Sequence, residues 1–157
     1  MSDDKTFLRE AIALARAGAA AGVGGPFGAV VVHEGRVIGR GQNRVTSTCD
    51  PTAHAEVVAL REACGSLRQF HLPDATLYSS CEPCPMCLAA AYWAHVARIV
   101  FAGTRTDAAA AGFDDEFLYR ELTLPPEARR LPLVPLLRAE GVVAFDEWRH
   151  QPGRIPY

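Results

Sequence analysis

Four residues in two short segments have the types and spacing of a catalytic zinc site. His54 and Glu56 form a His-x-Glu pair, and Cys84 and Cys87 lie three residues apart around Pro85. Pro85 favours a helix start directly after Cys84, and the partial positive charge of a helix N-terminus favours the thiolate that a metal requires. Two thiolates and one imidazole leave a fourth zinc position open for water, whereas structural sites use four protein ligands. We therefore predict that His54, Cys84 and Cys87 bind Zn²⁺.

Glu56 is the predicted catalytic proton carrier. It follows His54 by two positions, which do not share a face inside a helix. At the first turn, however, both side chains can project past the helix end toward one site. A carboxylate beside zinc-bound water is placed to take its proton and return it to substrate. We favour this role over metal ligation, because two thiolates already supply negative charge.

Each segment alone has a simpler explanation. A Cys-x-x-Cys pair can be a redox pair, and a single histidine at a helix start is commonly a cap or a surface residue. The two segments together favour metal binding. We interpret Cys81 as a packing residue, and Cys49 and Cys64 as small, partly buried thiols. Five cysteines, an odd number, argue against a disulfide framework and favour a reducing, cytoplasmic compartment.

Composition limits the class of partner. The chain has 157 residues, 49% of them hydrophobic and 22% charged, which predicts a single domain over 1–157 with a real core. Its formal net charge of −2 argues against a nucleic-acid partner. No apolar stretch is long enough to span a membrane, and the acidic start of the chain does not resemble a signal peptide. A small neutral or aromatic substrate is therefore expected.

The elements that position these residues alternate between helix and strand. Hydrophobic periodicity and turn signals predict the order α-β-β-α-β-α-β before residue 105, with strands at 27–33, 36–42, 75–79 and 96–102. The segment 43–51 is predicted to be a loop, and His54 and Cys84 fall at helix starts. Helices are also predicted at 106–112, at 114–122 and around Trp148. This order indicates a layered α/β domain with a mixed sheet.

Five segments carry a resemblance to a known family. These are GGPFGAV at 24–30, DPTAHAE at 50–56, SCEPCPMC at 80–87, YWA at 92–94 and GFDD at 112–115. The zinc signature resembles that of the zinc nucleobase deaminases, and the whole set resembles the bacterial guanine deaminases of the cytidine-deaminase fold. The resemblance covers residues 7–157. It implies a three-layer α-β-α sandwich with a central five-stranded mixed sheet, and hydrolysis of guanine to xanthine and ammonia.

The resemblance also assigns the substrate-binding residues. It implies that Phe27 stacks on the purine and that Asn43 addresses its ring nitrogens and carbonyl oxygen. On sequence alone, Phe27 could equally be a core residue, and Asn43 could be a turn residue as well. Ala55 and Trp93 are further implied contacts, although a core or interface role fits Trp93 as well.

Two adjacent carboxylates receive different interpretations. The resemblance implies that Asp115 faces the substrate, and a carboxylate there can accept a hydrogen bond from a guanine ring N–H. Adenine has no hydrogen on N1, so the same carboxylate would be partly unpaired with adenine. Asp114 is interpreted as solvated.

The C-terminal segment 151–157 contains two prolines and one glycine and cannot make a good helix. The resemblance implies a homodimer in which this tail reaches the neighbouring subunit and Tyr157 covers its site. Guanosine and the triazine ammeline are alternative substrates on the same scaffold. A tRNA adenosine deaminase is disfavoured by the net charge, and a non-catalytic zinc-binding protein by Glu56.

Overall fold

The computed structural model describes residues 2–157. They form two compact units, divided between Asp115 and Glu116. The first eight helices and strands of the first unit are, in order, α1 (Ser2–Ala20), β1 (Gly28–His33), β2 (Arg36–Gln42), α2 (Val45–Thr48), α3 (Ala55–Leu67), β3 (Thr76–Cys81), α4 (Pro85–Trp93) and β4 (Arg98–Gly103). Helix α5 (Arg105–Ala110) completes this unit. The second unit contains α6 (Glu116–Thr123), a 3₁₀ turn (Pro126–Ala128) and α7 (Arg138–His150).

The four strands form one mixed sheet in the order β2-β1-β3-β4. Strand β1 pairs antiparallel with both β2 and β3, and β3 pairs parallel with β4. The predicted cytidine-deaminase-like α/β class is confirmed, but the prediction of a five-stranded sheet is wrong for the described residues. After Gly103 the chain turns directly into α5, because Thr104 and Asp107 form a capping box that starts this helix.

The core lies on both faces of the sheet. On one face, Val30, Val32 and Tyr78 pack against Phe7, Leu8 and Leu14 of α1. On the other face, a cluster that includes Ala29, Val31 and Leu77 packs against small residues of α3 and α4. Strand β1 is therefore buried on both sides, as its uninterrupted apolar sequence predicts. This arrangement gives the α-β-α layering of the first unit.

Helix α3 lies very close to strand β2 because β2 has no side chain at two positions. A Cβ atom on Gly39 or Gly41 would collide with backbone atoms of α3. The two glycines are two residues apart and so face the same side of the strand. Their spacing fixes the distance between α3 and the sheet, and with it the position of the His-x-Glu segment at the start of α3.

The predicted strands and the helices before residue 105 are confirmed, with ends shifted by a few residues. The predicted helices near 106–112, 114–122 and Trp148 are also present. Helix α2 falls within the segment predicted as a loop. No helix among the described residues is long and apolar enough to cross a membrane. The single domain over 1–157 stays a prediction.

Candidate active site

Two of the predicted zinc ligands are the residues that precede helices. His54 is the N-cap of α3 and Cys84 is the N-cap of α4, and both have extended backbone geometry. Pro85 occupies the first turn of α4, as predicted. Neither N-cap side chain forms a capping hydrogen bond with its own helix. Both side chains are therefore available to a common site at the helix N-termini.

The structure brings His54, Cys84 and Cys87 together as a triangle. His54 Nδ1 lies 3.5 Å from each sulfur atom, and the two sulfur atoms are 3.6 Å apart. Tetrahedral zinc with bonds of about 2.3 Å to sulfur and about 2.0 Å to nitrogen requires ligand-to-ligand distances of about 3.5–3.8 Å. The triangle therefore fits a zinc ion. Among residues 2–157, no other trio of His, Cys, Asp or Glu side chains is arranged to hold a metal.

The three groups of the triangle shift one another's pKa values. The hydrogen bond between Cys84 and Cys87, followed by the one between Cys84 and His54, lowers the pKa of Cys84 to about 4. The hydrogen bond with Cys84 and burial raise the pKa of Cys87. The hydrogen bond with Cys84 also raises the pKa of His54. A metal that binds here displaces the remaining proton, since only thiolates coordinate.

Glu56 lies beside the triangle, outside the ligand set. Its Oε2 accepts a hydrogen bond from Cys87 Sγ at 3.4 Å, and its Oε1 accepts one from Ser79 Oγ at 2.8 Å. The side chain is buried, and burial raises the pKa of its carboxyl. A raised pKa makes the carboxyl a better proton acceptor than an ordinary glutamate, which suits a group that takes up and releases protons in catalysis.

A pocket of about 350 Å³ opens above these groups within the first unit. His54, Glu56 and Cys84 line it, and so do three of the predicted substrate-binding residues: Phe27, Asn43 and Asp115. The pocket is large enough for one purine base, which presents a flat ring system and a few polar edges. The zinc triangle and the predicted base-recognition residues thus face one cavity.

Phe27 belongs both to the core and to the wall of the pocket, and its stacking on a purine stays a prediction. It packs against the core cluster and also lines the pocket. Its ring meets Phe113 edge to face, with a centroid separation of 4.9 Å and an interplanar angle of 85°. A Cβ atom on Gly25 would lie 3.2 Å from Phe27 and 3.3 Å from Phe113. These contacts fix the Phe27 ring at the wall of the pocket.

Asn43 lines the pocket, and the structure orients its side-chain amide, whereas its contact with a purine stays a prediction. Its Oδ1 accepts hydrogen bonds from the backbone N–H groups of Gly25 and Val45, each at 3.2 Å. Because both partners are donors, the amide atom that they contact must be the oxygen. The nitrogen, Nδ2, is then the group that faces the pocket. Nδ2 has no hydrogen-bond partner in the part of the chain described. Asn43 therefore offers a donor to a ligand.

Asp115 offers the complementary group. Burial, and then the nearby charge of Cys84, raise the pKa of its carboxyl. Gly112 has a φ of 93°, in the region that favours glycine, and it turns the chain from α5 toward Asp115. Asp114 is exposed and also lines the pocket, so it is not purely a solvated residue.

Three predicted substrate contacts are not among the residues that line this pocket. Ala55 is fully buried in the core cluster at the start of α3. Trp93 is the last residue of α4 and is 65% exposed. Tyr157 lies in the second unit, in a terminal segment without helix or strand. The contacts of Ala55, Trp93 and Tyr157 with substrate stay predictions.

The remaining cysteines do not join the triangle. Cys81 is buried, lines the pocket and donates a weak hydrogen bond to the Thr104 carbonyl at 3.6 Å. Cys64 is half-buried against the core, as expected. The expectation of partial burial is wrong for Cys49, which is exposed because it ends the short helix α2 at the surface.

Sequence reasoning missed Ser79 and Phe113 as individual site residues. Ser79 has a hydroxyl at a fully buried strand position. A serine at an inward-facing position of a predicted strand is the signal that could have identified it from the sequence. Phe113 was visible only as part of the GFDD segment. Glu82 was also missed: it lines the pocket and accepts a hydrogen bond from the Arg105 backbone N–H at 3.0 Å.

The geometry agrees with comparisons to known proteins. A family model described as "Cytidine and deoxycytidylate deaminase zinc-binding region" matches residues 1–103, which include the whole triangle and Glu56. The chain belongs to this zinc-dependent deaminase family. The family assignment confirms zinc as the cofactor and explains why two helix starts converge on one pocket.

Relatives within the family differ in how much of this chain they match. The guanine deaminase of Bacillus subtilis (strain 168) is 50% identical over 153 residues, which is 98% of each chain. The X-ray structure of guanine deaminase from B. subtilis superimposes with a TM-score of 0.94 and covers 98% of each chain. A structure described as guanine deaminase from Nitrosomonas europaea is 36% identical, with a TM-score of 0.65, over 69% of this chain and 63% of that one. A tRNA-specific adenosine deaminase of Agrobacterium fabrum (strain C58) is 49% identical over only 76 residues, 48% of this chain and 50% of that protein.

Proposed function

We propose that this chain catalyses the hydrolytic deamination of guanine, in which guanine and water give xanthine and ammonia. One observation carries the proposal: a zinc triangle and a buried carboxyl share a pocket with a fixed donor, Asn43 Nδ2, and an acceptor, Asp115. The likeness to the guanine deaminase of B. subtilis over 98% of the chain supports the same substrate.

Each site residue has a defined task in this reaction. His54, Cys84 and Cys87 would hold the zinc ion, which when bound acts as a Lewis acid and lowers the pKa of water to about 7. Glu56 takes a proton from water and delivers it to a ring nitrogen of the base. It then takes the second proton, from the hydroxyl added at C2, and passes it to the amine, which leaves as ammonia while C2 becomes a carbonyl.

The pocket edge supports guanine over adenine. Asn43 Nδ2 can donate to an acceptor such as the oxygen on C6, and Asp115 can accept from the hydrogen on N1. Adenine presents an amino group and an unprotonated N1 at these positions, which leaves the carboxylate of Asp115 unpaired. The wall residue Phe27 supplies an aromatic surface for the ring system in both cases.

The test is ammonia release by the zinc-loaded protein from guanine, guanosine, ammeline, adenine and cytosine in parallel. We expect guanine to have the highest kcat/KM, with xanthine as the second product. Faster turnover of adenine or cytosine contradicts the proposal. Faster turnover of guanosine or ammeline would support the assignment as a zinc deaminase but would contradict guanine as its substrate.

We further propose a single functional domain over 1–157 that works as a cytoplasmic homodimer with exchanged tails. The segment 151–157 has no helix or strand to hold it within its own unit, and family resemblance supports a role for Tyr157 at the neighbouring subunit's site. The free thiols of the triangle support a reducing compartment, since a zinc site with two thiolates is lost on oxidation. The partner of the site is a small purine, without nucleic acid or membrane.

A further inference from the structure

Ser79 lies at a position of strand β3 where the core would ordinarily take an apolar residue. Its register partner in β1 is Ala29, and Leu77, two residues earlier, faces the same layer of α3. Ser79 itself is completely buried. Because a buried hydroxyl is unfavourable unless it is hydrogen-bonded, the role of Ser79 is found in its partners.

The partners give the Ser79 hydroxyl a direction. The Cys81 backbone N–H lies 3.4 Å from Oγ and uses it as an acceptor. The hydroxyl hydrogen is then directed to Glu56 Oε1, 2.8 Å away, because an ionised carboxylate can only accept. This short hydrogen bond links strand β3, which leads to Cys84, with helix α3, which carries Glu56.

The two oxygens of Glu56 are therefore not equivalent. Oε1 is held by the Ser79 donor, whereas Oε2 lies on the side of the metal ligands, 3.4 Å from Cys87 Sγ. The Ser79 bond thus fixes the rotation of the carboxyl group, with Oε2 turned toward the zinc triangle.

We propose that Ser79 is a positioning residue for Glu56, whose hydroxyl holds Oε1 and so keeps Oε2 turned toward the zinc triangle. This inference rests on the proposed function in that Glu56 is the proton carrier. Ser79 does not touch substrate, since it is not among the residues that line the pocket. Its effect is therefore on the rate of proton transfer and not on substrate binding.

The test compares Ser79→Ala, Ser79→Thr and the matched control Ser80→Ala. Ser80 is the neighbouring β3 hydroxyl, and it accepts a hydrogen bond from the Gly28 backbone N–H at 3.0 Å instead of contacting Glu56. For Ser79→Ala we expect kcat for guanine to fall by about tenfold to a hundredfold, the effect of losing one hydrogen bond to a charged group. KM, zinc content and Tm are expected to stay near the wild-type values. Ser79→Thr, which keeps the hydroxyl, is expected to recover most of kcat.

Several results would overturn the inference. These are a kcat of Ser79→Ala within twofold of wild type, an equal loss in Ser80→Ala, or a loss that is accompanied by loss of zinc. In a Glu56→Gln background, Ser79→Ala should cause no further loss, because the two changes remove the same step. A further tenfold loss there would show that Ser79 acts without Glu56.

Crystal structures separate this inference from the proposed function. In zinc-loaded Ser79→Ala we expect the Glu56 carboxyl to rotate or shift relative to the wild-type protein. An unshifted carboxyl overturns the inference whatever the substrate is. If the wild-type enzyme releases no ammonia from guanine, the proposed function fails, and the position of Glu56 in the two structures still decides the role of Ser79.

Discussion

At the scale of single residues, the chemistry of Glu56 depends on burial and on its neighbour Ser79. Desolvation raises the pKa of its carboxyl, while the Ser79 hydroxyl holds Oε1. The same residue at the surface would be a permanently ionised carboxylate with free rotation. The local environment, more than the residue type, makes Glu56 suitable for moving protons.

We predict that Glu56→Gln keeps zinc and fold while kcat falls at least about a hundredfold, because removal of a proton-transfer group typically has this effect. The measurement is ammonia release together with zinc analysis by atomic absorption. The double variant Cys84→Ser, Cys87→Ser is the contrasting control, and it should lose both activity and zinc. Near-normal turnover by folded Glu56→Gln would place the base elsewhere.

Asp115 gives a prediction about specificity. Asp115→Asn replaces a group that only accepts with one that also donates, so kcat/KM for guanine should fall about tenfold to a hundredfold through loss of a charge-assisted hydrogen bond. Zinc content should not change. Asp114→Asn, the adjacent carboxylate, should show a smaller loss. Equal activity of Asp115→Asn and wild type would contradict the role of this carboxylate in guanine recognition.

At the scale of elements, the site depends on how closely α3 approaches the sheet. A methyl group at position 41 would collide with the Ala55 carbonyl and lie 2.7 Å from the Ala59 nitrogen. Since both atoms belong to the backbone of α3, the helix must move as a whole. His54 and Glu56 are at the start of α3. A shift of α3 relative to β2 therefore also moves these two residues of the site.

We therefore predict that Gly41→Ala lowers the free energy of unfolding by about 3 kcal/mol, at the upper end of the usual effect of overpacking. Zinc affinity should fall in the same variant. Gly65→Ala is the matched control, because a Cβ atom there meets nothing within 4 Å. It lies within α3 and should raise stability by up to about 1 kcal/mol through helix propensity. Denaturant unfolding of the zinc-loaded proteins measures the stability of both variants. A Gly41→Ala protein as stable as wild type would contradict this account of the packing.

Helix α1 is attached to the opposite face through Asp4, which accepts hydrogen bonds from Arg98 of β4 and Tyr78 of β3, each at 2.6 Å. The hydrogen bond from Arg98, and then that from Tyr78, lower the pKa of Asp4 below its ordinary value. A carboxyl whose pKa is lower in the folded state stabilises the fold above its unfolded-state pKa of about 3.9, and this contribution is lost as the pH falls through the folded-state pKa.

The corresponding prediction is that Asp4→Asn is less stable than wild type by a constant amount from pH 5 to pH 8. The difference should shrink as the pH falls below about 4, because the unfolded wild-type chain takes up a proton on Asp4 before the folded protein does. Denaturant unfolding of both proteins at each pH measures it. Asp74→Asn, at an exposed loop carboxylate, is the control and should show little difference at any pH. A difference between Asp4→Asn and wild type that persists unchanged at pH 3 would contradict the assignment.

At the scale of the whole molecule, the proposed exchange of tails makes each site depend on two chains. Deletion of residues 154–157 should lower activity while zinc content and the fold of the first unit stay unchanged, because this segment contributes no strand to the sheet. Mixing the deletion variant with Asp115→Asn under subunit exchange should restore activity, since the mixed dimer contains one site with Asp115 and an intact partner tail. No restoration, with dimers shown to exchange, would mean that the tail acts within its own chain.

The sequence by itself predicted the cluster of His54, Cys84 and Cys87 and the layered fold class, because both depend on short-range patterns. Pro85 and the spacing of Cys84 and Cys87 define a helix start, and alternating apolar strands and helices define the mixed sheet. The number of strands was predicted incorrectly, since the resemblance implied a fifth strand and the Thr104–Asp107 capping box starts a helix after β4.

Only the tertiary structure decided which side chains meet across long sequence separations. The bond from Ser79 to Glu56 spans 23 residues, and the bond from Gly25 to the Asn43 amide spans 18. The first gives the two carboxyl oxygens different roles, and the second leaves a donor facing the pocket. Neither can be read from local pattern, because the direction of a hydroxyl or an amide depends on donors and acceptors that the fold brings from other strands and loops.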